Sequence, residues 1–169
     1  MANTFELIAS STAGAGGVTT FDFTSIPSTY TDLCLKLSIR TDDTGTYGYA
    51  YIGFNGTAYD SAIRYIQGSG SAANSASEST GYLGTMDANG ATANTFSNNE
   101  IYIPNYAGST NKSFSTDSVE EHNATAAYMQ LMAGLWSNTA AINRITIKNA
   151  GANKFMQYST AYLYGVKNA

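Results

Sequence analysis

Leu33-Cys34-Leu35-Lys36-Leu37-Ser38-Ile39-Arg40 is the stretch whose reading decides the fold of this chain. Side chains along a β-strand point alternately to opposite faces, so Leu33, Leu35, Leu37 and Ile39 share one side, and Cys34, Lys36, Ser38 and Arg40 the other. The segment reads as a strand with one dry face. Each aliphatic side chain, fully buried, contributes roughly 1.5–3 kcal/mol of transfer free energy. That places the strand well inside a sheet and makes the other segments its partners.

Upstream, Phe5, Leu7 and Ala9 alternate with Glu6 and Ile8 until Gly14-Ala15-Gly16-Gly17 interrupts the pattern. Phe21 and Phe23 resume it, and Pro27 fixes a turn before the deciding strand. Downstream, Tyr47, Tyr49 and Tyr51 share a face opposite Ala50, Ile52 and Phe54. Asn55-Gly56 follows; both residues tolerate positive φ, which predicts a hairpin reversal into a strand over 59–67. Residues 68–80 are Gly, Ser, Ala and Asn with almost no apolar side chain, which predicts an exposed, flexible loop. Segments 95–103 and 112–119 flank Pro104-Asn105-Tyr106-Ala107-Gly108-Ser109 as an antiparallel pair, with Ile101 and Ile103 opposed to Glu100 and Tyr102.

Residues 124–136 carry two signals. Ser118-x-x-Glu121 resembles a capping box, and Ala, Met, Gln and Leu favour helix. Ala127, Met129, Leu131, Ala133 and Leu135 nevertheless keep a period of two, and strand is the reading adopted. A further strand falls over 143–148. Near the end, Tyr158, Thr160, Tyr162 and Tyr164 alternate with Ser159, Ala161 and Leu163. Roughly nine or ten short strands punctuated by turn signals describe an all-β chain. The expected architecture is a single-domain antiparallel β-sandwich over 1–169, jelly-roll-like, with a short N-terminal arm at 1–4.

Composition bounds what such a sandwich does. With 169 residues the chain can bury a real core without disulfide or metal. Its one cysteine, Cys34, cannot form an internal bridge and reads as a small residue on a strand face. A net charge of −4 with eight Lys and Arg leaves no basic stripe for phosphates, so nucleic acid is not an expected partner. Charged residues make up 12% of the chain, half the usual share, and the surface must be Ser, Thr, Asn, Gly and Tyr. Such a surface suits packing against other subunits. Met1-Ala2-Asn3-Thr4-Phe5-Glu6 has neither a basic nor an apolar leader pattern, and no apolar run is long enough to span a bilayer; neither signal peptide nor membrane span is expected.

Reactive chemistry finds little support. The chain has one Cys and one His, too few for the usual metal clusters, so no metal and no cofactor is expected. Asp87-Ala88-Asn89-Gly90 resembles the start of a calcium loop but lacks the closing Glu, and reads as a turn. Asp42-Asp43 and Glu120-Glu121-His122 read as solvated turns. Nucleophile elbows, phosphate loops and dinucleotide fingerprints are absent, so no catalytic residue is assigned and no enzyme is expected. The 13 tyrosines remain, able to stack on sugar rings or subunit partners, or to pair across strands. Trp136 reads as core packing. The candidate interface residues are Met1, Ala2, Asn3, Thr4, Tyr47, Tyr49, Tyr51 and Tyr106.

Four phrases carry a resemblance: Phe23-Thr24-Ser25-Ile26-Pro27-Ser28-Thr29-Tyr30-Thr31-Asp32-Leu33, Glu100-Ile101-Tyr102-Ile103-Pro104-Asn105-Tyr106-Ala107-Gly108-Ser109, Ala133-Gly134-Leu135-Trp136-Ser137-Asn138-Thr139-Ala140-Ala141-Ile142 and Gln157-Tyr158-Ser159-Thr160-Ala161-Tyr162-Leu163-Tyr164-Gly165. They resemble a group of tailed-phage virion structural proteins found in cyanophages and other aquatic phages. The resemblance implies a particle component made in the host cytoplasm. One position it implies is the outer capsid surface, as a decoration or cement protein that binds the major capsid protein as a homotrimer. The other is a tail component that binds a host surface glycan. Tail fibres generally carry an elongated shaft of heptads or β-repeats, for which this sequence has no pattern, so decoration is the expectation.

Overall fold

The computed structural model describes residues 4–56, 59–123 and 127–167; Met1, Ala2 and Asn3 of the expected contact arm lie outside them. The described residues form twelve strands and no helix. In chain order these are β1 (Phe5–Thr12), β2 (Thr20–Phe23), β3 (Asp32–Ile39), β4 (Tyr47–Phe54), β5 (Ala62–Gly68), β6 (Ala73–Glu78), β7 (Tyr82–Asp87), β8 (Ser97–Pro104), β9 (Lys112–Glu120), β10 (Tyr128–Trp136), β11 (Ile145–Asn149) and β12 (Thr160–Val166).

They build two antiparallel sheets packed as a sandwich. One has eight strands in the order β1-β12-β3-β8-β9-β10-β5-β6; the other has four, in the order β2-β11-β4-β7. The jelly-roll expectation therefore reaches only as far as the sandwich. β3 lies between β12 and β8, and Leu33, Leu35, Leu37 and Ile39 are all buried as the alternation predicts. Across the core they meet the inner rows of the small sheet: Phe21 and Phe23 of β2, Ile145 and Ile147 of β11, and Ala50, Ile52 and Phe54 of β4. The outer row of β3 is closed by polar pairing, with Lys36 in an ion pair to Glu100 of β8 at 2.8 Å.

Three local expectations change. Asn55 and Gly56 do adopt positive φ, but the chain crosses to the other sheet instead of forming a hairpin. Asn55 instead captures the loop before β11, accepting from the backbone of Asn143 and Arg144 and donating to the Ala141 carbonyl. Residues 68–80 are not simply a loop, because 73–78 form the edge strand β6 against β5. Side chains of β6 are nonetheless all exposed, so no apolar periodicity marked it. A bulge between Leu7 and Ala9 in β1 leaves Phe5 and Leu7 outside and turns Ile8 and Ala9 toward the core. In β10 the strand reading holds over 128–136, while the aliphatic row faces outward.

Glycine sets two close approaches. Gly134 in β10 lies under the Phe114 ring of β9, where an added Cβ would meet ring carbons at 2.2 Å. Gly84 in β7 has φ +108, and a Cβ there would meet Ser118 Oγ at 2.5 Å and Gln130 Oε1 at 2.7 Å. Only glycine adopts that backbone at so short a range. It lets β7, the edge of the small sheet, seat against β9 and β10 of the large one.

Candidate functional site

Two surface features and one buried cluster stand out. The first is the outward row of β10. Met129, Leu131 and Leu135 are 61%, 50% and 40% exposed, and Ile66 of β5 and Val119 of β9 are 59% and 38% exposed. Register places Leu131 opposite Ile66 and Met129 opposite Val119, so these side chains form one patch. Toward β8 the same face becomes a polar-rimmed groove of about 730 Å³, lined among others by Arg64, Tyr102, Asp117 and Leu131. Contiguous exposed apolar patches with polar rims are the kind of surface on which proteins meet partners or ligands.

The second feature is a tyrosine cleft between the sheets. Tyr47, Tyr49 and Tyr51 stand on the outer face of β4, as the alternation predicts, and are joined by Tyr65 of β5, Tyr82 of β7 and Tyr128 of β10 around about 340 Å³. Their rings meet edge-on or tilted, with Tyr47 at 5.6 Å from both Tyr49 and Tyr128 and Tyr82 at 5.5 Å from Tyr65. Gln130 is buried behind the lining residues Gln67, Tyr82 and Thr85 and holds them together. Its Oε1 accepts from the Thr85 backbone at 2.9 Å, and its Nε2 donates to Gln67 Oε1 at 2.8 Å and to the Tyr82 hydroxyl at 3.2 Å. Burial, followed by the hydroxyl of Tyr47, pushes the Tyr49 phenol up to about 12, and the Glu78 side chain also lines the cleft. Aromatic faces beside hydroxyl, amide and carboxylate groups match the chemistry of a sugar ring.

The other expected contact residues fare differently. Thr4 is exposed. Tyr106 is corrected from contact residue to core: it is fully buried, its hydroxyl donating to the Pro27 carbonyl and accepting from the Tyr30 backbone. Packing in the turn between β8 and β9 swallows the ring. Cys34 is buried, and burial raises its thiol to about 11, which removes it as a nucleophile. Trp136 is core, with its ring 5.4 Å from Phe54. Asp42 and Asp43 are spent within the fold, accepting from the Lys154 backbone and from Asn149 and Asn153.

Glu120-Glu121-His122 is the largest departure from expectation. Only Glu121 is exposed; Glu120 and His122 turn inward and meet Asp87, the last residue of β7. One ligand-type atom from each of the three lies within 4.8 Å of the others, and His122 Nε2 is 2.9 Å from Glu120 Oε1. Burial pushes the Glu120 carboxyl up to about 8, against the Thr85 hydroxyl, which favours its charged form. Asp87 is also raised, chiefly by burial, with His122 and Arg40 acting in the opposite direction. These side chains have no exposed surface, so no substrate reaches them as they stand.

No family model, curated protein or solved structure matches this chain.

Proposed function

We propose that this chain is a non-enzymatic structural protein of a phage particle, a capsid decoration protein that adheres to neighbouring subunits on the outer shell. The observation that carries the reading is the exposed aliphatic row of β10 with its neighbours Ile66 and Val119, on a protein with few charges. Support also comes from the resemblance of four long phrases to tailed-phage virion proteins. A sheet face of this kind gains free energy by losing water against a partner, and the partner here is the major capsid protein. Binding only to the assembled shell stabilises that shell by mass action. Trimerisation would let one unit engage several capsid subunits, so modest contacts add through avidity.

The tyrosine cleft favours a second reading, a tail component that binds a host surface glycan. Quantitative mass spectrometry of purified particles separates the two. The first reading expects hundreds of copies, on the scale of the major capsid protein; tens or fewer would replace it with the second. Under the second reading, glycan-array binding should be lost in Tyr49→Ala.

A further inference from the structure

The buried cluster at the end of β7 and β9 is used by neither reading. Two carboxyl groups and one imidazole are fully buried there, and their hydrogen bonding is incomplete. Both oxygens of Asp87, both of Glu120 and both ring nitrogens of His122 lack a partner in hydrogen-bonding geometry. The neighbouring hydroxyls are shared: Thr95 donates to the Thr92 carbonyl and Thr85 to Gln130, while each also lies close enough to favour the charged form of Asp87 and Glu120 respectively. Arg40 gives its Nη1 and Nη2 protons to the carbonyls of Ala91, Thr92 and Thr95. Buried polar groups in native proteins are almost always paired, and buried charges are paired or coordinate a metal.

Pairing within the cluster reaches only two of its three members. Protonated His122 would offset Glu120 at 2.9 Å and leave the Asp87 oxygens unpaired. A dication offsets both carboxylates at once and accepts a lone pair from the imidazole. From this geometry we infer that Asp87, Glu120 and His122 form a structural binding site for a divalent first-row transition-metal ion, with Zn²⁺ the best match. The donor set selects the class. Imidazole nitrogen with carboxylate oxygen suits zinc, which accepts bonds of about 2.0–2.2 Å from these atoms. Calcium takes six to eight oxygen ligands and has no use for the imidazole. Reaching those bond lengths from a mutual separation within 4.8 Å requires only small side-chain rotations.

Position in the fold says what the ion does. Asp87 closes the edge strand of the small sheet, while Glu120 ends β9 of the large one and His122 lies in the chain just past it. Gly84 and Gln130 already draw β7 onto β9 and β10, and the metal staples the sheets at the end of that seam. The site is buried, its three side chains supply four protein ligand atoms if one carboxylate binds through both oxygens, and bound metal contributes directly to folding free energy.

The test uses the full chain, stripped with chelator and titrated with ZnCl₂ by calorimetry, with thermal unfolding followed in parallel. We expect one Zn²⁺ per chain and a higher unfolding midpoint, both lost in His122→Gln and Asp87→Asn and both kept in Asp60→Asn, whose residue is exposed in the loop before β5. CaCl₂ at the same concentration should leave the midpoint unchanged. Absence of stoichiometric binding in the stripped wild type, equal binding in folded His122→Gln, or a larger shift with Ca²⁺ each overturns the site. Should the variants fail to fold, Co²⁺ added to the wild type decides. Visible bands of a low-coordinate nitrogen and oxygen site support it, and the spectrum of hydrated Co²⁺ removes it.

Discussion

β3 and β10 carry similar alternating aliphatic patterns and use them in opposite directions. In β3 the row Leu33, Leu35, Leu37 and Ile39 faces the core, and Lys36 on the other side pairs with Glu100. In β10 the row Met129, Leu131 and Leu135 faces out, while Gln130, Met132, Gly134 and Trp136 face in. A period of two identifies a strand but does not say which row is inside; the neighbours decide that. For β10 the decision rests on Trp136, packed against Phe54, and on Gln130, whose buried amide is matched by Thr85, Tyr82 and Gln67. Turning the strand over would expose the indole and strand that amide network, at more cost than three aliphatic side chains recover.

The sharpest break in the comparison comes from the inner row of β3. Leu37→Asp places an unpaired carboxylate in a fully packed interior, and loss of the cooperative melt and of soluble folded protein is expected. A wild-type-like melt would show the face assignment to be wrong. The inner row of β10 should respond next most strongly. Gly134→Ala puts a methyl at 2.2 Å from the Phe114 ring, and the ring, itself buried, must shift. Overpacking of this kind costs roughly 1–3 kcal/mol, readable as a lowered midpoint in chemical denaturation.

The same contrast explains what was legible beforehand. Strands with one apolar and one polar row, β2, β3, β4, β8 and β12, were readable because alternation alone records a half-buried sheet. β6 was not, since every side chain along it is exposed and Ser-Ala-Asn sequence looks the same in an edge strand as in a loop. β7 was missed for the opposite reason: both of its faces are buried, which erases the alternation. Tyr47, Tyr49 and Tyr51 were placed together correctly, but Tyr65, Tyr82 and Tyr128 join them only through the crossing of two sheets, which no local spacing encodes. The cluster of Asp87 with Glu120 and His122 is hidden likewise, Asp87 being more than thirty positions from the other two and joined to them by the seating of β7 on β9. Its one available signal was Glu120 continuing the inward alternation of Lys112, Phe114, Thr116 and Ser118, which argues against a solvated turn.

The smallest effect on stability, and the one that separates the two rows most cleanly, belongs to the outer side of β10. Leu131→Thr combined with Met129→Thr introduces β-branched residues that suit a strand and removes apolar surface that is largely in water, so unfolding free energy should change by only about 0.5 kcal/mol per site. If the row is a contact surface, the change appears elsewhere. Sedimentation velocity should show self-association lost or weakened, and particles reconstituted with the variant should carry fewer copies. A melt lowered as far as in Gly134→Ala would mean that the chain itself covers the row. An unchanged melt with unchanged association and occupancy would mean that these exposed side chains have no partner, and the adhesive reading of the large sheet would then fail even with the sandwich intact.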